Sequence, residues 1–168
     1  MDELYRRHGP VVFRYARSRL DTEDAHDVTA EVFVVALRRW REVPEHELAW
    51  LLGVARRVIA NHVRSARRRT ALGERLRAQR TPEAVDPARS VDRTDALRRA
   101  VATLGPRDQE VVGLLLAADL DQRDLAAALG CSPNTASARA SRARRRLRDA
   151  LAAQDSEHDD DTEGVFSR

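Results

Sequence analysis

Residues 121–151 read DQRDLAAALGCSPNTASARASRARRRLRDAL. The stretch places a short capped helix, a glycine turn and an arginine-loaded second helix in immediate succession, the order of a helix-turn-helix whose second helix enters DNA. Asp121 is an N-cap whose carboxylate can accept from backbone N–H groups left unpaired in the first turn. Asp124 adds favourable negative charge there. Leu125, Ala126 and Leu129 form the buried side of this helix, and Gly130 supplies the left-handed conformation that ends it. Ser132 caps the next helix and Pro133 follows at its first position, where a missing N–H costs nothing.

At 100° per residue the second helix collects Ala136, Ala140, Ala143, Leu147 and Leu151 on one narrow stripe, small enough to dock closely. The opposite face carries Asn134, Ala138, Ser141 and Arg145, flanked by Arg139, Arg142 and Arg148, with Thr135 and Ser137 near the N-terminal end. It is short and polar first, then densely cationic. Early residues of such a helix reach base edges, and later arginines are placed for phosphates, which set register without reading sequence. A merely solvated arginine helix would not need the capped helix and glycine turn before it.

The rest of the chain fits a nucleic-acid partner. Of 168 residues, 30 are basic and 27 acidic, and every basic residue is arginine. Arginine, unlike lysine, can bond phosphate or guanine in bidentate fashion. Residues 155–168 hold six acids and one arginine, which leaves 29 basic and 21 acidic residues, a net +8, on residues 1–154. The tail, DSEHDDDTE over 155–163, has no apolar anchor and is expected to be disordered.

The organisation predicts an all-α chain of two small helical domains. Residues 71–94, with Pro82, Pro87 and sparse apolar positions, read as a flexible linker. Residues 1–70 carry helical periodicity and no strand alternation. Leu4, Val12, Phe13, Ala16 and Leu20 make a first stripe. Asp21 and Asp24 open a second helix bearing Ala25, Val28, Val32 and Ala36, with Phe33, Leu37 and Trp40 beside them. After a break at Val43-Pro44, a third helix runs from about Glu47 to Arg69, apolar at Trp50, Leu51, Val54, Ala55, Val58 and Ile59 and cationic at Arg64, Arg67, Arg68 and Arg69. Phe33, Trp40 and Trp50 are expected in the core, with Trp50 the one to be partly exposed.

Several function classes are excluded. The single Cys131 rules out an internal disulfide and a cysteine-cluster metal site. His8, His26, His46 and His62 lack metal-ligand spacing, so no metal and no cofactor are expected. Seven dispersed glycines build no phosphate-cradling loop, and no nucleophile, base and orienter cluster points to an enzyme. The longest apolar run, residues 111–118, is too short to span a bilayer, and MDELYRRHG lacks a signal peptide's apolar core, so a cytoplasmic protein without membrane insertion is expected.

On these residues the chain resembles the small, two-domain extracytoplasmic-function sigma factors of bacterial RNA polymerase. LYRRHGPVVFRYARSRL, DTEDAHDVTAEVFVVALRRW and AWLLGVARRVIANHVRSARRR are similar to that family's region 2. LRRAVATLGPRDQEVVGLLLAADLDQRDLAAALGCSPNTASARASRARRRL is similar to its region 4. The resemblance implies region 2 over 1–70, a linker over 71–94, region 4 over 95–153 and an acidic tail over 154–168.

It also implies the roles. Asp27, Glu31 and Arg38 would bind the beta-prime clamp of polymerase core. The loop 41–47 would capture displaced bases, while Trp50, Arg56, Arg57, Asn61, His62 and Arg64 would serve minus-10 binding and melting. Asn134, Thr135, Ser137, Ala138, Arg139, Ser141, Arg142 and Arg145 would meet the minus-35 element of promoter DNA, with the beta flap bound by another surface of region 4. An anti-sigma factor is the partner the resemblance adds. Ala30 stands where the family often has Gln, and Ser137, Ala138, Ala140 and Ser141 replace residues that are often larger or basic. The alternatives are a stand-alone helix-turn-helix regulator, which needs a sensing or dimerising N-terminal domain, and a DNA-processing enzyme, which needs a catalytic cluster.

Overall fold

In the computed structural model, residues 2–76 and 93–163 are described. They form α1 (Asp2–Arg17), α2 (Thr22–Arg38), a 3-10 turn (Trp40–Glu42), α3 (Glu47–Leu76), α4 (Arg93–Thr103), α5 (Pro106–Ala117), α6 (Gln122–Leu129) and α7 (Pro133–Glu163), with no strand among the described residues.

Local chemistry sets the helix ends. Asp21 and Asp121 each accept a hydrogen bond from a backbone N–H three residues on, Asp24 N at 2.8 Å and Asp124 N at 2.7 Å, which satisfies a donor the first turn leaves orphaned. Pro106 opens α5 behind Gly105. Gly130 has φ 64°, and with Cys131 N–H reaching Ala126 O at 3.0 Å it closes α6 in a Schellman arrangement.

The halves are built differently. In the N-terminal half, α1, α2 and α3 pack together and bury Leu4, Val12, Ala16, Val28, Val32, Leu51, Leu52 and Ile59. In the C-terminal half, α7 lies under α4, α5 and α6 with Ala136, Ala140 and Ala143 fully buried, so close packing depends on those three small side chains. One contiguous apolar cluster then runs through both halves, because α3 packs along α6 and α1 along α5.

Two expectations change. Trp40 is 50 % exposed: α2 ends at Arg38, and the tighter 3-10 turn carries the indole off the buried face. Phe33 is buried and Trp50 half-buried, as expected. α3 continues to Leu76 and α7 to Glu163, into segments expected to lack regular structure. Once a helix is nucleated each further residue adds a hydrogen bond, and Ala150, Ala152 and Ala153 carry α7 onward with high helix propensity. Residues 77–92 of the expected linker lie outside the described residues, as do 164–168 of the acidic tail.

Candidate nucleic-acid interface

Three surfaces gather the residues singled out from sequence. The first is the outer face of α7. Asn134, Ser137, Ala138, Ser141, Arg142 and Arg145 are exposed, and Thr135 and Arg139 half-buried. Ser132 Oγ accepts from Thr135 N at 3.3 Å and meets Thr135 Oγ1 at 2.8 Å, so the Thr135 hydroxyl is tied to the cap. Arg146 pairs with Asp108 of α5, which turns it away from this face. What remains is polar over its first turns and cationic after them, on a helix packed against α6.

The second surface lies on α3. Arg57, Asn61 and Arg64 are exposed, and Arg64 donates to Asn61 Oδ1. Arg68 continues their line one turn on and is also exposed. Sequence reasoning left it among the cationic residues of the helix end, although the i, i+4, i+7, i+11 spacing from Arg57 would have joined it to the face. Arg56 and His62 are engaged within the fold. His62 Nε2 lies 3.0 Å from Asp24 Oδ2 of α2. Arg56 Nη1 lies 3.6 Å from Glu110 Oε1 of α5, while its buried Nε has no hydrogen-bond partner. Trp50 packs half-buried against the core. Of the six candidates here, Arg57, Asn61 and Arg64 are exposed at the surface.

The third surface is α2. Asp27, Glu31 and Arg38 are exposed on one face. Val34 and Leu37 lie beside them, 44 % and 59 % exposed. Sequence reading set Leu37 beside the buried residues and left Val34 out, because both belong to the run EVFVVAL, too uniformly apolar for periodicity to orient. Together these five make an apolar centre with charged edges, the composition of a protein-binding patch.

No group of three or more His, Cys, Asp or Glu among the described residues is placed to hold a metal ion. No helix among the described residues is long and apolar enough to cross a membrane.

Family models match both halves: sigma-70 region 2 over residues 4–69 and sigma-70 region 4 over residues 94–147. The chain is 34 % identical over 136 residues to the ECF RNA polymerase sigma factor BldN of Streptomyces coelicolor, covering 76 % of this chain and 51 % of that protein, so it spans about half of that relative's length. It is 31 % identical over 151 residues to the ECF RNA polymerase sigma factor SigC of Mycobacterium tuberculosis, covering 89 % of this chain and 79 % of the relative. The fold matches the sigma factor RpoE of Bartonella quintana, crystallised with the anti-sigma factor NepR, at a TM-score of 0.66 and 24 % identity, over 90 % of this chain and 96 % of that one. It also matches CnrH, solved with the cytosolic domain of CnrY, at a TM-score of 0.63 and 24 % identity, over 90 % and 87 % of the two chains.

Proposed function

Because the chain belongs to the extracytoplasmic-function group of the sigma-70 family, the initiation factors of bacterial RNA polymerase, we propose that it directs polymerase core to a specific promoter set through the three surfaces above. The carrying observation is that two exposed cationic tracks, on α3 and on α7, occupy different halves of the chain, as a protein reading two separated DNA elements requires.

In this reading the outer face of α7 meets the minus-35 element. Asn134, Ser137, Ala138 and Ser141 reach base edges, with Arg139, Arg142 and Arg145 at the phosphates and the groove edge. Arg57, Asn61, Arg64 and Arg68 track the separated strand near minus-10, with Arg56, His62 and Trp50 beside them. Melting needs displaced bases held out of the stack, and loop 41–47 with the exposed indole of Trp40 at its start offers an aromatic face for stacking. The α2 patch of Asp27, Glu31, Val34, Leu37 and Arg38 docks on the beta-prime clamp, and region 4 contacts the beta flap. The polymerase supplies the chemistry, and this chain is assigned none of its own. It acts in the cytoplasm, and an anti-sigma factor is its expected protein partner.

Fluorescence anisotropy of labelled promoter fragments tests the reading, with this chain alone, core alone, and both together. A stable complex that forms only with both is expected. Equally tight, sequence-selective binding without core supports a stand-alone regulator instead, which nothing in residues 1–70 favours.

A further inference from the structure

We propose that residues 155–168 fold back as a tethered peptide ligand, seating Val165 and Phe166 in a groove between α4, α5 and the end of α1 while the acidic run meets the arginines at its rim. The proposal goes beyond the sigma-factor reading and does not depend on it.

The groove is apolar along its floor and cationic at its edge. It encloses about 350 Å³, with Leu97 and Val101 of α4 and Leu116 of α5 among its lining. Leu116 is 51 % exposed, a large apolar side chain left open within a concave surface. Arg17 and Arg19 at the end of α1 and Arg98 of α4 border it, and no Asp or Glu among the described residues lines it. Arg17 Nη1 donates to Leu20 O at 2.6 Å, which holds that guanidinium at the end of α1. Such a surface suits a ligand that is apolar at one point and anionic beside it.

The acidic tail has that composition. Residues 155–168 read DSEHDDDTEGVFSR, with six acids and one arginine. Val165 and Phe166 are its only apolar side chains, and one glycine separates them from the acidic run.

The tail also begins beside the groove. With its amide oriented to satisfy both partners, Gln154 donates to Ala96 O at 3.0 Å and accepts from Ala100 N–H at 2.8 Å. Leu97 and Val101 each follow one of these alanines, so the groove lies about 100° round α4 from the side that α7 covers. Residues 155–165 can span up to about 36 Å when extended, against a helix diameter of about 10 Å.

Seating the tail requires the last turns of α7 to unwind, and the sequence there favours it. α7 runs to Glu163, so the six acids of 155–163 stand at a helix end whose dipole disfavours anions. Positions 155 and 159, 157 and 161, and 159 and 163 put like charges four residues apart, which is also unfavourable in a helix. Against Arg17, Arg19 and Arg98 the same carboxylates are attracted. Once the tail is seated, an outside partner reaches Leu116 only by displacing it.

Cross-linking kinetics in the full chain test this. In a Cys131→Ala background, Ser167→Cys is combined either with Leu116→Cys in the groove or with Arg99→Cys, which is exposed on the far side of α4. Expected is an intramolecular disulfide about tenfold faster with Leu116→Cys than with Arg99→Cys, since docking raises the local concentration beyond what the tether alone provides. Adding Phe166→Ser, or Asp159→Asn with Asp160→Asn and Asp161→Asn, is expected to slow the groove pair to the rate of the Arg99→Cys pair. These tail substitutions lie outside the core, so the fold is unchanged by them. Equal rates at the two positions overturn the proposal. A fast groove pair that ignores both tail variants overturns it as well. Disulfides that form only between chains make a second copy the occupant and also overturn it, and none of these outcomes touches the sigma reading.

Discussion

Arg56 of α3 faces Glu110 of α5 across 3.6 Å, with side chains 29 % and 22 % exposed. The pair links two halves that sequence alone reads as separate domains. It lies near Tyr15, whose hydroxyl is pushed to a higher pKa by burial first and by the negative charge of Glu110 second.

A double-mutant cycle on Arg56→Ala and Glu110→Ala is expected to give a coupling energy of about 1 kcal/mol, since the pair is neither fully exposed nor fully buried. Urea denaturation of the four proteins measures it. A coupling near zero contradicts an energetically joined interface.

Arg142→Ala is expected to lower holoenzyme affinity for promoters carrying a minus-35 element without moving the unfolding midpoint, because the side chain is exposed on the outer face of α7. Arg145→Ala, placed for a phosphate, is expected to reduce the slope of log K against log salt by about 1 while weakening all sequences alike. Unchanged promoter binding by both variants contradicts the assigned face.

Gly130 occupies the left-handed region at φ 64°, where a Cβ clashes with the following carbonyl. Gly130→Ala is therefore expected to cost about 1 to 2 kcal/mol, seen as a lower urea midpoint with an unchanged slope. No loss of stability argues against this turn geometry.

The Asp121 carboxyl is held below its ordinary pKa of 3.8, first by the hydrogen bond from Asp124 N–H. A group whose folded pKa is depressed stabilises the fold above its unfolded value, and that contribution is lost as pH falls through the folded one. Wild type should therefore lose thermal stability more steeply than Asp121→Asn as pH drops below 3.8, because Asn caps without titrating. Parallel curves for the two proteins contradict the capping role.

Trp40→Ala is expected to cost well under the ~3 to 5 kcal/mol of a buried aromatic truncation, since half of the side chain is exposed. If the indole stacks on a displaced base, the same variant slows promoter opening, read by permanganate reactivity of thymines near minus-10. Full destabilisation with normal opening contradicts its surface role.

The sequence made the helix-turn-helix legible nearly residue by residue. Asp121, Gly130, Ser132 and Pro133 each act through local backbone chemistry, so no distant contact was needed to place them. The alanine stripe of α7 was legible for the same reason. Trp40, Val34 and Leu37 were not, because in an apolar run periodicity cannot say where a helix stops or which side stays free. Arg56 was legible as a cation and not as the partner of Glu110, since a pair across two halves depends on how they pack.

Run-off transcription with purified core polymerase, with and without this chain, on genomic fragments carrying candidate promoters tests the central claim most directly. Discrete transcripts that appear only when the chain is added are predicted, with start sites sharing minus-10 and minus-35 elements. Absence of any chain-dependent transcript across a genomic library, together with tight duplex binding in the absence of core, contradicts it.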